Sequence, residues 1–137
     1  MFFLFLHARL SAQVVHVDKV VSLDPPINSA GADFAPSFTA DGKILVFNSK
    51  RSGSAYQQIF ISRFENDAWT NPESLDIVNS KYNDESPHIT PDGAFLFFSS
   101  DRDGSFEIPK DASGRIRVSF DLYVSCLLYT SDAADEE

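Results

Sequence analysis

Cysteine is almost missing from this chain, with one residue, Cys126, in 137. An intramolecular disulfide and a cysteine-rich zinc site are thereby excluded. Basic residues are scarce, 11 against 20 acids for a formal charge of −9, and they form no cluster. Neutralising phosphates needs a basic face, so nucleic acid and anionic membrane surfaces are disfavoured as partners. No apolar run approaches the roughly 18 residues of a membrane-crossing helix. Helical periodicity is missing throughout, as are a Gly-x-Ser-x-Gly elbow, a phosphate-binding glycine loop, a zinc motif and a dinucleotide fingerprint. The expectation is therefore no catalytic residue, no metal ligand and no cofactor. Aromatic residues, by contrast, are plentiful: 13 Phe, 4 Tyr and 1 Trp, in a chain that is 43% hydrophobic. That is enough to build the core of one ordinary domain and excludes a disordered chain.

The two ends read differently from the middle. Met1 to Leu6 form a short apolar stretch, and His7 to Leu10 lead to the small residues Ser11 and Ala12. Residues 1–12 are expected to be a signal-peptide remnant, cleaved after Ala12; an apolar first strand or stray upstream residues are the alternative. Residues 13–22, with Val14-Val15-His16-Val17, are a lead-in or a ring-closing strand. Residues 126–137 resemble an in-frame translation of a sequencing adapter and are expected to be a non-native tail outside the fold. Asp132, Asp135, Glu136 and Glu137 lie there with no base, so much of the net acidity belongs to the tail.

The middle of the chain repeats. Asn28-Ser29, Asp33, Pro36, Asp41-Gly42, Phe47, Ser49, Arg51 and Gly53 recur 51 positions later as Asn79-Ser80, Asp84, Pro87, Asp92-Gly93, Phe98, Ser100, Arg102 and Gly104. With Thr39/Thr90 and Leu45/Leu96, there are 12 identities over the 27 positions from Ile27 to Gly53 without a gap. A fixed period of this size is the signature of a repeat architecture.

Each copy carries a strand pattern. Asp41-Gly42 and Asp92-Gly93 stand between apolar runs, where Gly accepts the positive φ of a tight hairpin. The runs Ile44–Phe47 and Phe95–Phe98 are short, continuous and apolar, which predicts strands buried on both faces. Third strands are expected at Gln58–Ser62 and Asp121–Ser125, and an outer strand around Ala68–Thr70. Four short antiparallel strands per repeat, stacked on neighbours, describe a β-propeller blade. The predicted fold is all-β: blade 1 over residues 23–73 and blade 2 over 74–125. Propellers close with roughly 4–8 blades, so the chain reads as a fragment whose remaining blades lie in missing sequence.

The pattern Pro-x-x-Thr-x-Asp-Gly, then Leu-x-Phe-x-Ser-x-Arg-x-Gly, then Gln58-Ile59-Phe60 or Asp121-Leu122-Tyr123 resembles the WD-like propeller repeat of the TolB type. That repeat also occurs in OmpA-family envelope proteins. The segment Trp69–Leu75, Val78-Asn79 and Asp84–Pro87 is similar as well, and the resemblance covers residues 23–125. It implies a secreted, non-enzymatic scaffold, periplasmic or outer-membrane-associated, that binds envelope proteins. Some such proteins carry a peptidoglycan-binding domain, for which no residues remain here. A second reading makes the chain the gating propeller of a prolyl-oligopeptidase-type serine peptidase whose catalytic domain is missing. A carbohydrate-processing propeller is disfavoured, because no acid pair at glycosidase spacing can be argued.

Three sets of residues are candidate sites. Asp33 with Arg51, and Asp84 with Arg102, flank the hairpin turns so that each pair meets at the far end of its blade. An Arg–carboxylate clamp that fastens loops is the favoured role over ligand binding. Asp101, Asp103 and Glu107 lie close together but lack the spacing of a calcium loop, and read as a solvated turn. The second copy carries a 12-residue insertion at about 106–117, on the face opposite the Asp-Gly turns, with Lys110, Arg115 and Arg117 as the candidate partner contact. Trp69 is expected to pack on the outer strand, and His88 to be an ordinary strand residue.

Overall fold

Both hairpin turns are built the same way from the same residues. Asp41 Oδ1 accepts from the Thr39 hydroxyl at 2.6 Å and from the Lys43 amide at 3.0 Å, while the Gly42 amide donates to Thr39 O at 2.9 Å. Asp92 repeats this with Thr90 at 2.6 Å and Ala94 at 3.1 Å. Gly42 and Gly93 adopt φ of 68° and 75°, the left-handed region where a side chain is strained. Each turn launches a pair of antiparallel strands.

The computed structural model describes residues 18–51, 53–108, 114 and 117–127, and among these it holds ten strands and no helix. The first sheet contains β1 (Asp33–Phe38), β2 (Ile44–Ser49), β3 (Gln58–Glu65) and β4 (Ala68–Trp69) in that spatial order. A fifth strand, β5 (Glu73–Ser74), also pairs with β3. The second sheet contains β6 (Asp84–Ile89), β7 (Phe95–Ser100) and β10 (Asp121–Cys126), with β7 in the centre. The insertion forms a two-stranded sheet of its own, β8 (Glu107–Ile108) with β9 (Arg117–Val118). Every pairing is antiparallel.

Pro36 and Pro87 each interrupt a first strand at a bulge. The register shifts between Phe34 and Ser37, and again between Glu85 and His88. Ala35 and Ser86, just before the prolines, take φ of 51° and 54°. A proline has no amide to lose from the ladder, so a bulge is a place that tolerates it.

The core lies between the sheets. Val46, Ile59 and Ile61 from the first sheet meet Ile89, Leu96 and Phe98 from the second, with Val78 of the connection among them. Burying each such side chain is worth roughly 1.5–3 kcal/mol. On the other side of the first sheet, Leu45, Phe47 and Phe60 pack with Ile27, and Trp69 lies against them. Strand β2 is accordingly buried on both faces from Leu45 to Ser49.

Strand β7 departs from the expectation of burial on both faces. Leu96, Phe98 and Ser100 are buried, while Phe95 and Phe97 are each 45% exposed. Its neighbour β10 likewise exposes Leu122 and Val124. The cause is geometric: no described residue lies over that face of the second sheet. Strand β10 also runs one residue past the Ser125–Cys126 junction. Cys126 pairs with Phe95, and Leu127 packs against the core. Backbone pairing uses amides and carbonyls common to all residues, so it does not stop where a composition changes.

Candidate functional site

The hydrogen-bonded ends of the two sheets, opposite the Asp-Gly turns, carry the same constellation twice. In the second sheet Asp84 is fully buried. Its Oδ2 accepts from the Ser80 amide at 2.6 Å and the Ser80 hydroxyl at 2.9 Å; its Oδ1 accepts from the Arg102 guanidinium at 2.6 Å. Arg102 also donates to Ser100 Oγ at 3.0 Å and to the Val78 carbonyl at 2.6 Å. Its guanidinium lies over the rings of Phe98 and Tyr123, 5.1 Å and 4.7 Å from their centroids. A planar guanidinium can do all of this at once, which an ammonium cannot.

The first sheet reproduces the arrangement. Asp33 Oδ2 accepts from the Ser29 amide at 2.7 Å and its hydroxyl at 2.8 Å. Its Oδ1 accepts from Ser49 at 2.6 Å and Arg51 at 3.1 Å. Arg51 donates further to Ser49 Oγ and to the carbonyls of Pro26 and Ile27, and stacks over Phe47 and Phe60. Burial pushes the Asp33 carboxyl up, but hydrogen bonds from Ser49, Ser29 and Arg51 outweigh it and hold the group below the usual carboxylate range. Each arginine thus ties the segment ahead of a sheet to that sheet. The serines at 29, 49, 80 and 100 recur with the repeat, and that recurrence was the sequence signal for their part in the clamp.

Other groups at this end are engaged as well. Asp101 accepts from the Asn83 amide at 2.8 Å and its side chain at 3.0 Å. Asp103 accepts from the Tyr82 hydroxyl and lies 3.8 Å from the exposed Lys81 ammonium. That hydrogen bond to Asp103 holds the Tyr82 hydroxyl above its usual range. Glu85 is raised, first by burial and then by the Asp101 charge. Asp101 and Asp103 are therefore bonded into the loops rather than turned to one common point.

The insertion leaves β7 at this same end. Its β8–β9 hairpin is extended by a hydrogen bond from the Ser119 amide to the Phe106 carbonyl at 2.8 Å, and Phe106 is 78% exposed. Arg117 lies on β9 by its backbone, opposite Ile108. Lys110 and Arg115 fall outside the described residues, as do residues 1–17 and 128–137. Trp69 packs edge-on to Phe64 with centroids 5.2 Å apart, and lies 6.0 Å from Phe38. His88 is exposed on β6.

Two asparagines at the sheet junction have roles that the sequence did not reveal, although Asn79 is a repeat position. Asn48 is buried and donates to the Asp84 carbonyl at 2.7 Å, while its Oδ1 accepts from the Ser86 amide at 2.7 Å. The Ser86 bulge turns that amide toward the first sheet. Asn79 caps the edge of β3, accepting from the Ile59 amide at 2.7 Å and donating to its carbonyl at 2.8 Å. The only cue for Asn48 was an amide inside an otherwise apolar strand, since its repeat counterpart is Ser99.

No family model matches the chain, and no curated protein does. Among solved structures, one described as TolB from Agrobacterium tumefaciens is similar, with 19% identity and a TM-score of 0.42. The match covers 75% of this chain and 46% of that one, so this chain spans less than half of its length. In its own right the chain is all-β, with antiparallel sheets among the described residues.

Proposed function

We propose that the chain is part of a β-propeller of the cell envelope, a non-enzymatic scaffold that binds other proteins. Residues 23–73 and 74–125 are its two blades, and the insertion at 106–117 is its partner contact. The observation that carries this reading is the contrast between what the two repeats keep and what they vary. The clamp and the turn recur with the same aspartates, arginines, serines, threonines and glycines, whereas the second copy alone grows a hairpin from the clamp end. A rigid scaffold displaying one variable loop is the usual construction of a recognition surface. Lys110, Arg115 and Arg117 make that loop the most basic stretch of an acidic chain, which suits an acidic protein surface.

Site-specific photocrosslinking tests it. A photoreactive side chain at Phe106 should give a discrete protein adduct in envelope extract, diminished by added salt and by reversing the charges at Lys110 and Arg115. The same probe at Asp41, at the opposite end, should give none. Equal labelling from both ends, or none from Phe106, would overturn the assignment.

A further inference from the structure

The interface between the two sheets supplies a template for the face that the second sheet leaves open. Strand β3 pairs with β2 in the register that β10 keeps with β7, so Ile59, Ile61 and Val46 correspond to Leu122, Val124 and Phe97. The first three are buried against the second sheet. Their counterparts are 84%, 58% and 45% exposed. The complementary half also recurs. Ile89 and Val78, which the second sheet presses onto the first, correspond to Phe38 and Ile27. Phe38 is 43% exposed, and on the same sheet the buried Ile27 joins Phe34 and Pro36 in lining a cleft of about 80 Å³. Asn79, which brackets Ile59, corresponds to the exposed Asn28.

We infer that the chain associates head to tail with a second copy of itself. The open face of the second sheet in one copy receives the outer face of the first sheet in the other. Leu122 and Val124 then occupy the place that Ile59 and Ile61 hold within the chain. Asn28 of the incoming copy brackets the Leu122 backbone as Asn79 brackets Ile59. Such a contact is heterologous, using two different patches, so it propagates unless rotation closes it into a ring. It follows from the sheet-to-sheet geometry of this 137-residue chain by itself and not from an envelope role; in a longer propeller chain, further repeats occupy the same two faces.

Sedimentation velocity on the full chain tests this with two blocking variants. Leu122→Glu disables the open face and Phe38→Glu the outer face. The wild type should associate as concentration rises. Each variant alone should sediment as a monomer, and an equimolar mixture of the two should give a discrete dimer, because each retains the half the other lacks. Asn28→Ala, at an exposed position whose side chain donates to the Ser22 hydroxyl at 3.1 Å, should weaken association about tenfold. A wild type that stays monomeric at every concentration would overturn the inference. So would a Phe38→Glu protein that still dimerises by itself, since that requires two open faces to meet each other. Far-UV circular dichroism matching the wild type establishes that each variant is folded.

Discussion

Arg102 holds four kinds of partner at once: a carboxylate, a hydroxyl, a carbonyl and two aromatic faces. Arg102→Lys keeps the charge and loses the fork, and should cost about 1–3 kcal/mol in urea unfolding. Asp84→Ala leaves a guanidinium without its buried counter-ion and should cost more, about 3–5 kcal/mol. Single acids also set the response to pH. Asp33 is held low against the effect of burial by its hydrogen bonds, and Asp41 and Asp92 are held low first by the hydroxyls of Thr39 and Thr90. Their stabilisation is complete above the ordinary carboxylate value of 3.8 and is lost as pH falls through the lower folded values. Glu85 has the opposite sign. Burial raises it above 4.5, so folding should strengthen as pH falls toward that value and its charge is removed. A pH series of urea midpoints should therefore rise gently above 4.5 on acidification and fall below 3.8. Glu85→Gln should abolish the rise alone.

Strands show where sequence reading succeeds and where it stops. The hairpins, the β2 and β7 cores and both Asp–Arg pairs were legible because they recur at a fixed spacing and because Asp-Gly has one good use between apolar runs. Strand β5 was not expected, for Glu73-Ser74 has no alternation to betray a two-residue pairing. The one-sided exposure of β7 was equally invisible. Phe95-Leu96-Phe97-Phe98 is apolar at every position, and only the arrangement of sheets decides which side is covered. The junction depends on Asn48, whose role the repeat hides because it is not repeated. Asn48→Ala should cost about 1–3 kcal/mol by leaving the buried Asp84 carbonyl and Ser86 amide short of a partner. Gly42→Ala offers a contrast at the turn. An added Cβ would meet nothing within 4 Å, so its cost of about 1 kcal/mol would come from φ alone.

Seen whole, the described residues make an unequal pair. The first sheet has hydrophobic packing on both sides and the second on one. Cooperative stability in stacked repeats comes from intrinsic terms plus interfaces between neighbours, so the second sheet should open first. The chain's single tryptophan, Trp69, belongs to the first sheet and reports on it selectively. In a urea titration, far-UV circular dichroism should begin to change before Trp69 fluorescence does. Coincident curves would mean that the sheets unfold as one unit. Reading the gene through the Ser125–Cys126 junction addresses the larger architecture: further 51-residue repeats support a propeller, and a Gly-x-Ser-x-Gly elbow would replace the scaffold with a peptidase gate.

The reach of the two arginines has a consequence for how such a chain can be altered. Arg51 grasps carbonyls at Pro26 and Ile27, and Arg102 grasps the one at Val78, so each fastener closes within its own copy of the repeat. Nothing in either clamp is borrowed from the adjoining copy. A gene segment cut in the linker before Asp24, or at its counterpart before Leu75, carries a complete set of clamp partners with it. Duplication, loss or exchange of a whole unit therefore leaves no orphaned clamp charge behind. A designer who splices at those points must match the apolar faces and the asparagine links across the junction, Asn48 to Asp84 and Ser86 and Asn79 to Ile59.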